Sequence, residues 1–447
     1  MAFDTRIARS ATVSLAAPPG HCDRADPGAV AGVSGSPRPR IAFFFNAQAH
    51  QLLHGITTAE ALATGWNVRV DILSSTQINL DLARQVVLPE NRQLLHFELI
   101  GSPLARWIAT RQKSVVPPKL LTLWAVRKRL NLYDAIALPE RTSILLRWFG
   151  VKQPKFIHID HGAGDRAAGF DKRIALFDFA LMAGEKHRRR LLDEGLVRGD
   201  NSAMVGYPKF EAADRLRDPD WSPFADRKPV ILYNPHFSRE LGSWATHGGD
   251  VVQRIVDSGR YNLIVAPHVR LCDSPAGRAA AEAIFGPFRS VPGVYLDMGS
   301  QRSIDMTYTS MADIYLGDVS SQVYEFLRIP RPCVFINNDG RAWRDDPNYA
   351  HWRFGPVIDD SKEIVAALDD AVSGHGAYVV IQAEGFADTF GTTKASSSHR
   401  AAAAIAGFMG MVPRGVRAET RRGIGKWSGR EDSNLRPLPP EGSALPG

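Results

Sequence analysis

The chain has 447 residues, more than one ordinary domain holds, and its 44% hydrophobic and 23% charged residues are typical of a folded globular protein. It contains no apolar run near the roughly 20 residues of a membrane-spanning helix, and its start lacks the apolar core of a secretory signal. Cys22, Cys272 and Cys333 have no paired spacing, which argues against disulfides and a zinc ribbon, so we predict a cytoplasmic protein. The net charge of +7 suits an anionic substrate or an anionic membrane surface, and we expect no nucleic-acid partner.

A first domain is predicted over residues 41–210. Residues 1–40 are rich in Ala, Pro, Gly and Ser without periodicity, so we expect a disordered or mis-predicted N-terminal extension there. From Ile41 onward, short apolar runs closed by polar residues, Gly or Pro alternate with helical patterns. These runs are IAFFFN, WNVRVDIL, YDAIALP, KFIHIDHG, FDFALMAG and NSAMVGYP. The alternation predicts parallel βαβ units with helices on both faces of a Rossmann-like sheet.

A basic cluster lies inside this first domain, around the apolar stretch LLTLWAV that contains Trp124. Its members are Arg111, Lys113, Lys119, Arg127, Lys128 and Arg129. Basic residues beside an aliphatic and Trp face can dock on anionic lipid, here the inner face of the plasma membrane. The alternative is a core helix with solvated ends.

A second domain is predicted over residues 229–412, after a linker at 211–228 that contains two prolines and no periodicity. Its strand-like runs are VILYNPH, YNLIVAPH, GVYLD, ADIYLGD and RPCVFIN, and an Ala-rich helix ends the domain at 397–411. Two successive α/β halves predict two facing Rossmann-like domains with mainly parallel sheets. Residues 413–447 are expected to form a disordered tail, which is either a basic interaction segment or non-native translation.

The segment Ala312–Phe326 predicts an anion-binding strand, loop and helix. The strand ends at Gly317, where the backbone can approach a ligand, and a helix is expected from about Ser320. Unpaired amides at the helix N-terminus, together with the hydroxyls of Ser320 and Ser321, would grip a diphosphate. The alternative is that Ser320 only caps the helix.

A histidine-rich segment, FIHIDHGAG, closes a strand of the first domain. Strand alternation puts His158 and Asp160 on one face and leaves His161 at the mouth, where it could take a proton from an attacking hydroxyl. A metal site is the rival interpretation, but the spacing matches no usual zinc pattern, and we predict no metal and no cofactor.

Two further strands, both in the second domain, end in Pro-His pairs. These pairs supply His236, and His268 with Arg270 two residues on. If these strand ends converge with Ser320 and Ser321, the three side chains would surround donor phosphates and stabilise the departing charge.

Taken together, these motifs resemble the CDP-glycerol glycerophosphotransferase family of teichoic-acid type, over most of residues 150–340. The family's His-Gly pair matches His161 and Gly162, and its Asp-aromatic-Ser-Ser segment with an acidic-aromatic end matches this chain as follows: Asp318, Val319, Ser320, Ser321, Glu325 and Phe326. The resemblance implies a GT-B fold and a metal-independent transfer. It also implies that His161 is the base on the acceptor hydroxyl and that a second-domain histidine, which we assign to His268, holds the pyrophosphate with the serines.

The chain departs from the family at two places. Ala163, Gly164, Asp165 and Arg166 follow the His-Gly pair in place of the usual Thr or Ser, Pro and Lys, and Val319 replaces an aromatic residue. We expect Gly162, Asp165, His236, Arg270, Gly317, Asp318, Ser320 and Ser321 to bind substrate, with His161 and His268 catalytic.

The predicted function is the transfer of a glycerophosphoryl or similar group from a CDP-alcohol to a surface glycan or lipid-linked acceptor. A glycosyltransferase or sugar-nucleotide epimerase that uses a UDP-sugar stays open, because the same fold holds either donor. An inactive nucleotide-binding or membrane-scaffold protein is a further alternative.

Overall fold

The computed structural model describes residues 38–112, 114, 116–166 and 169–415. Most of the predicted N-terminal extension and nearly all of the predicted tail lie outside these residues, as do Lys113 and Cys22. The described chain is an α/β protein with two sheets in which every paired strand is parallel. The predicted fold class is therefore confirmed.

The first sheet has the strand order β3-β2-β1-β4-β5-β6-β7. Its central strand is the run of three phenylalanines, and Phe43, Phe44 and Phe45 are all buried because helices cover both faces of the sheet. The strands are β1 (Arg40–Phe45), β2 (Arg69–Ser74), β3 (Leu95–Leu99), β4 (Ala135–Leu138), β5 (Lys155–Ile159), β6 (Phe179–Met182) and β7 (Ser202–Met204).

The second sheet repeats this winding in the order β10-β9-β8-β11-β12-β13. In both sheets the order reverses beside the first strand, between β1 and β4 and between β8 and β11. Loops at the carboxyl ends of these strands therefore open a crevice, which is the usual ligand position of such folds. The strands are β8 (Val230–Asn234), β9 (Asn262–Val265), β10 (Val294–Leu296), β11 (Ile314–Gly317), β12 (Cys333–Ile336) and β13 (Val357–Ile358).

Helices connect most of the strands. They are α1 (Ala49–Leu52), α2 (Ile56–Gly65), α3 (Gln77–Val86), α4 (Pro103–Arg111), α5 (Lys119–Leu130), α6 (Glu185–Asp193), α7 (Lys209–Leu216), α8 (Gly248–Ser258), α9 (Pro275–Phe285), α10 (Thr307–Met311), α11 (Gln322–Phe326), α12 (Ile364–Ser373), α13 (Val379–Phe390) and α14 (Ser397–Met409). The part of the chain that the structure describes has no helix both long and apolar enough to cross a bilayer.

Two edge strands, β3 and β13, were not predicted from the sequence. β3 has the half-exposed sequence LHFEL, and β13 is only two residues long, so neither shows an apolar run. All the strand-like runs that were predicted do form strands.

Two elements lie at the predicted domain boundaries. The predicted linker at 211–228 is helical in its first part, because α7 extends to Leu216. The Ala-rich helix α14 was assigned to the second domain, but Ala401, Ala402 and Ile405 lie in the core around β1 and α2 of the first. Small side chains allow this close approach to α2, so the chain crosses back before the described residues end.

Candidate active site

A cavity of about 600 Å³ lies at the carboxyl ends of strands from both sheets. The loops and helices after β1, β4 and β5 line it from the first domain, and those after β8, β9 and β11 line it from the second. His161, His268, Arg270 and Ser321 are the residues predicted from the sequence that reach its wall. The structure thus brings residues of the two predicted half-sites to one cavity.

Four histidines line the cavity, two of which the sequence prediction had missed. His50 is on α1 and His54 follows it one turn later, and both rings approach the predicted pair. The ring centroids of His54 and His161 are 6.3 Å apart, and those of His50 and His268 are also 6.3 Å apart. His50 and His54 therefore connect the first-domain histidine to the second-domain histidine.

These imidazoles are held neutral. Burial, followed by the nearby charge of Arg141, lowers the pKa of His161, and burial with Arg270 lowers the pKa of His268 to about 4. Burial also lowers the pKa of His50 and His54 well below the usual value. A neutral imidazole can accept a proton, so each can serve as a base at neutral pH.

Each carboxylate on the cavity wall is paired with a cation. Glu140 lies 3.2 Å from Lys119, Glu325 lies 2.6 Å from Lys209, and Asp171 is bonded to Arg173. Burial alone would raise the pKa of Glu140, but Lys119 and the amide of Thr142 lower it to about 2. The three carboxylates are therefore compensated by cations, and they leave no free negative charge to repel an anion.

Two arginines on the wall form no ion pair with any carboxylate of the described chain. Arg141 follows β4 and donates to the carbonyl of Gly169, and Arg270 lies over the ring of Phe237 at 4.1 Å. One belongs to each domain. Guanidiniums without counter-ions can bind anionic oxygens, such as those of a phosphate, by bidentate hydrogen bonds.

In the segment predicted to bind phosphate, the helix start and the two serine side chains differ in position from the sequence expectation. α11 has five residues and begins at Gln322, so it offers little helix dipole. Ser320 is buried and donates to Asn234 at 2.7 Å, whereas Ser321 reaches the cavity. Gly317 is required by its own strand, because a Cβ there would lie 2.7 Å from the ring of Tyr315.

Asp318 is buried beneath the loop that follows β8. It accepts hydrogen bonds from the amides of His236 and Ser243 at 2.9 and 2.7 Å and from the Ser243 hydroxyl at 3.0 Å. Burial raises its pKa, although these donors oppose the shift. Asp318 thus fixes the backbone that carries His236 and does not line the cavity wall.

His236 lies behind His268, with the ring centroids 5.9 Å apart. Its Nδ1 accepts from the Ser238 amide, and Arg166 approaches the other nitrogen at 3.4 Å. Burial, followed by the unfavourable interaction that a protonated His236 would have with the neighbouring His268 and Arg166, lowers the pKa of His236 to about 3. It supports His268 from behind without lining the cavity.

Asp165 was predicted to bind substrate, but its carboxylate is fully used inside the protein. It accepts from Tyr324 at 2.8 Å, from Nδ1 of His351 at 2.8 Å and from Lys186 at 2.9 Å. Gly162 lies beside open space, since no atom comes within 4 Å of where a Cβ would be. The loop after β5 is therefore tied down at Asp165 and open at Gly162.

His158 and Asp160 do not form a metal site with His161. His158 packs on Phe177 with ring centroids 5.0 Å apart, and Asp160 is hydrogen-bonded to Nδ1 of His187. Within residues 38–415, leaving aside the few that are not described, no three His, Cys, Asp or Glu side chains are grouped to hold a metal ion.

Several residues of the cavity wall were not predicted, because their sequence patterns are less distinctive than those of the predicted site residues. The four-residue spacing of His50 and His54 would put both on one face of a helix just after the run IAFFFN, but the pair belongs to no recognised motif. Arg141 also follows a strand end, but an arginine beside Pro-Glu is not distinctive in sequence. Lys209 lies next to the predicted linker and gave no motif.

Comparison with known proteins shows the fold and not the family. No family model matches the chain, and no curated protein matches it. Solved structures do match. Staphylococcus aureus MnaA in complex with UDP is 14% identical with a TM-score of 0.58, over 84% of this chain and 98% of that one.

Two other structures match to a similar degree. The UDP-GlcNAc 2-epimerase of Neisseria meningitidis bound to UDP-GlcNAc is 13% identical with a TM-score of 0.51, over 83% of this chain and 99% of that chain. The wall teichoic acid polymerase TagF, soaked with CDPG, is 14% identical with a TM-score of 0.51, over 84% of this chain and 88% of that chain. The chain has the two-domain GT-B fold that these enzymes share.

Proposed function

We propose that this protein is a transferase that moves a glycerophosphoryl or similar phosphoalcohol group from a CDP-activated donor to a hydroxyl of a glycan or lipid-linked acceptor. The observation that carries the proposal is the pair Arg141 and Arg270, one from each domain, facing a cavity in which four histidines are neutral. Such a cavity combines anion binding with a base, which are the two requirements of attack by a hydroxyl at phosphorus.

In the proposed reaction, the acceptor oxygen attacks the phosphorus that carries the alcohol. A new P–O bond forms, the P–O bond to CMP breaks, and CMP leaves with the bonding electrons. His161 takes the proton of the acceptor hydroxyl, and Arg270 with Ser321 stabilises the charge on the departing phosphate. The lowered pKa of His161 keeps it unprotonated before the attack.

The choice of a CDP donor is supported by the resemblance of the His161 and Ser320 segments to the glycerophosphotransferases and by the match to TagF, which was soaked with CDPG. A sugar-nucleotide donor is the second candidate. It is favoured by the matches to epimerases solved with UDP and UDP-GlcNAc, since the same cavity would hold either diphosphate.

The test is incubation of the purified protein with CDP-glycerol or with UDP-GlcNAc, each with and without an acceptor, followed by nucleotide analysis. Acceptor-dependent release of CMP supports the proposal. Release of UDP from UDP-GlcNAc without any CMP refutes it in favour of the second candidate, and nucleotide binding without turnover of either donor favours an inactive binding protein.

Matched variants separate the cavity from the rest of the surface. Arg270→Ala and Arg141→Ala should each weaken donor binding by about tenfold to a hundredfold, the value of a lost charge-assisted hydrogen bond. Arg289→Ala is the control, because Arg289 is exposed and pairs only with Glu282 on the surface. If all three variants bound the donor with the same affinity, the proposed position of the diphosphate between Arg141 and Arg270 would be contradicted.

A further inference from the structure

The helices α4 and α5 carry the same arrangement of side chains on their outer faces. Each presents a leucine, then a tryptophan one turn later, then an arginine seven residues after the leucine. The two sets are Leu104, Trp107 and Arg111 on α4, and Leu120, Trp124 and Arg127 on α5. We call these six residues the Leu-Trp-Arg surface.

The apolar members of this surface are exposed, although residues of these types are normally buried. Leu104 and Trp107 are 56% and 54% exposed, and Leu120 and Trp124 are 59% and 53% exposed. The opposite faces of the helices are buried, with Ala105 and other small or aliphatic residues turned inward. Exposed large apolar residues grouped on neighbouring elements indicate an interaction site.

The chain just before α4 lies against the first turn of α5. A Cβ atom placed on Gly101, just before α4, would lie 3.9 Å from the guanidinium of Arg106 and 3.6 Å from the methyl group of Thr122 on α5. Ile100 also packs in one core cluster with Leu123 of α5. The two Leu-Trp-Arg sets therefore belong to one region of the first domain.

Each tryptophan is capped by its arginine. The guanidinium of Arg111 is 4.6 Å from the ring centre of Trp107, and that of Arg127 is 4.0 Å from the ring centre of Trp124. Cation–π contact holds the indole and the charge together at the surface. An indole next to a cation is the combination found at the boundary between lipid tails and headgroups.

The charge of these helices has one sign only. Neither α4 nor α5 contains an acidic residue, and their basic residues are Arg106, Arg111, Lys119, Arg127, Lys128 and Arg129. Lys119 and Arg129 are paired with Glu140 and Glu98, whereas Arg111 and Lys128 are exposed and form no ion pair within the described chain. Such a surface complements an anionic bilayer and opposes a positively charged one.

We infer that the Leu-Trp-Arg surface docks this protein on a membrane that contains anionic lipid. The leucines and indoles enter the headgroup boundary, and Arg111, Arg127 and Lys128 contact lipid phosphates. Lys119, the first residue of α5, lines the cavity, and Leu120 follows it on the docking surface. The docking surface and the cavity therefore adjoin each other through the first turn of α5.

The test is sedimentation of the full chain with vesicles of phosphatidylcholine alone or mixed with phosphatidylglycerol. The protein should bind the mixed vesicles and not the neutral ones, and added salt should release it. Trp107→Ser with Trp124→Ser should weaken binding by about tenfold to a hundredfold through the loss of apolar burial. Arg127→Glu with Lys128→Glu should weaken it at least about thirtyfold, since each basic residue near the surface contributes about fivefold and the reversed charges add repulsion.

Ile329→Ser and Arg289→Ala are the matched controls, because both residues are exposed on the second domain and should leave vesicle binding unchanged. The charge variants alter a half-buried and an exposed side chain and leave both indoles in place, so they keep the test valid if the tryptophan variants unfold. Wild-type affinity in both double variants, or equal binding to neutral vesicles, overturns the inference. Absence of sedimentation with the mixed vesicles, together with binding to an RNA or a protein that both double variants abolish, would identify a different partner and also overturn it. No donor is present, so the result is independent of the proposed reaction.

Discussion

Replacing Asp165 by asparagine distinguishes a structural role of this residue from a role in substrate binding. Its carboxylate joins Lys186 of α6 to Tyr324 of α11 and to His351 in the turn Pro347–Phe354, so it ties the first sheet to the second. Asp165→Asn removes the charge but keeps the shape. Lys186 then lies buried without its partner, and breaking such a pair costs about 3–5 kcal/mol.

The expected shift in melting temperature follows from the size of the protein. With an unfolding entropy of about 2.1 cal/mol/K per residue, roughly 380 folded residues give about 0.8 kcal/mol/K, so Tm should fall by about 4–6 °C in a single cooperative transition. Differential scanning calorimetry measures this. Asp388→Asn is the control, because its pair with Arg189 is exposed and contributes at most about 1 kcal/mol.

The pH dependence gives a second test of the same residue. Burial would raise the pKa of Asp165, but Lys186 and His351 lower it below the unfolded value of about 4. The stability that the carboxylate provides is thus present above about pH 4 and is lost as the pH falls through the lowered pKa. The Tm difference between wild type and Asp165→Asn should shrink in acid. An unchanged Tm at pH 7 together with weaker donor binding would refute this reasoning and restore the substrate role.

Three further outcomes are expected. The fall of kcat/KM in acid should occur below pH 6.5, because the pKa of His161 is lowered. Arg141→Gln should move this fall to higher pH, because it removes a positive charge that lowers the pKa of His161. A series of rate measurements against pH tests both expectations. His161→Ala should reduce kcat by about 10²–10⁴-fold while the exposed His96→Ala leaves it unchanged in the CMP-release assay. Ser320→Ala should lower the free energy of unfolding by about 1–3 kcal/mol, because it leaves the buried side chain of Asn234 without its hydrogen bond. Ser321→Ala should instead weaken donor binding at unchanged Tm, because its hydroxyl reaches the cavity. The reverse pattern would contradict the positions of the two hydroxyls.

The sequence was sufficient for the fold because parallel strands buried on both faces are continuous apolar runs. IAFFFN and VILYN are unmistakable, and their spacing already predicted two α/β halves. The edge strand β3 was not predicted, because it is partly exposed and its residues alternate between apolar and polar instead of forming a continuous apolar run. The position of α14 escaped because local pattern does not encode which core an Ala-rich helix packs against.

The site was predictable only where chemistry coincided with a strand end. His161, His268, Arg270 and Ser321 follow strands and do line the cavity. Asp165 and Asp318 also follow the predicted segments, yet burial turns their carboxylates toward backbone and side-chain donors of the protein itself. A sequence gives the residue type at a loop position but not the direction in which its side chain points.

The phosphate site that we propose therefore depends less on a helix N-terminus than on charge contributed by both domains. α11 is too short to bind a diphosphate by its dipole, and Glu325 at its end is compensated by Lys209 and Tyr207. What remains uncompensated is Arg141 on one side and Arg270 on the other. Because neither domain holds both arginines, a donor bound between them would contact both domains at once, beside the four histidines of the same cavity.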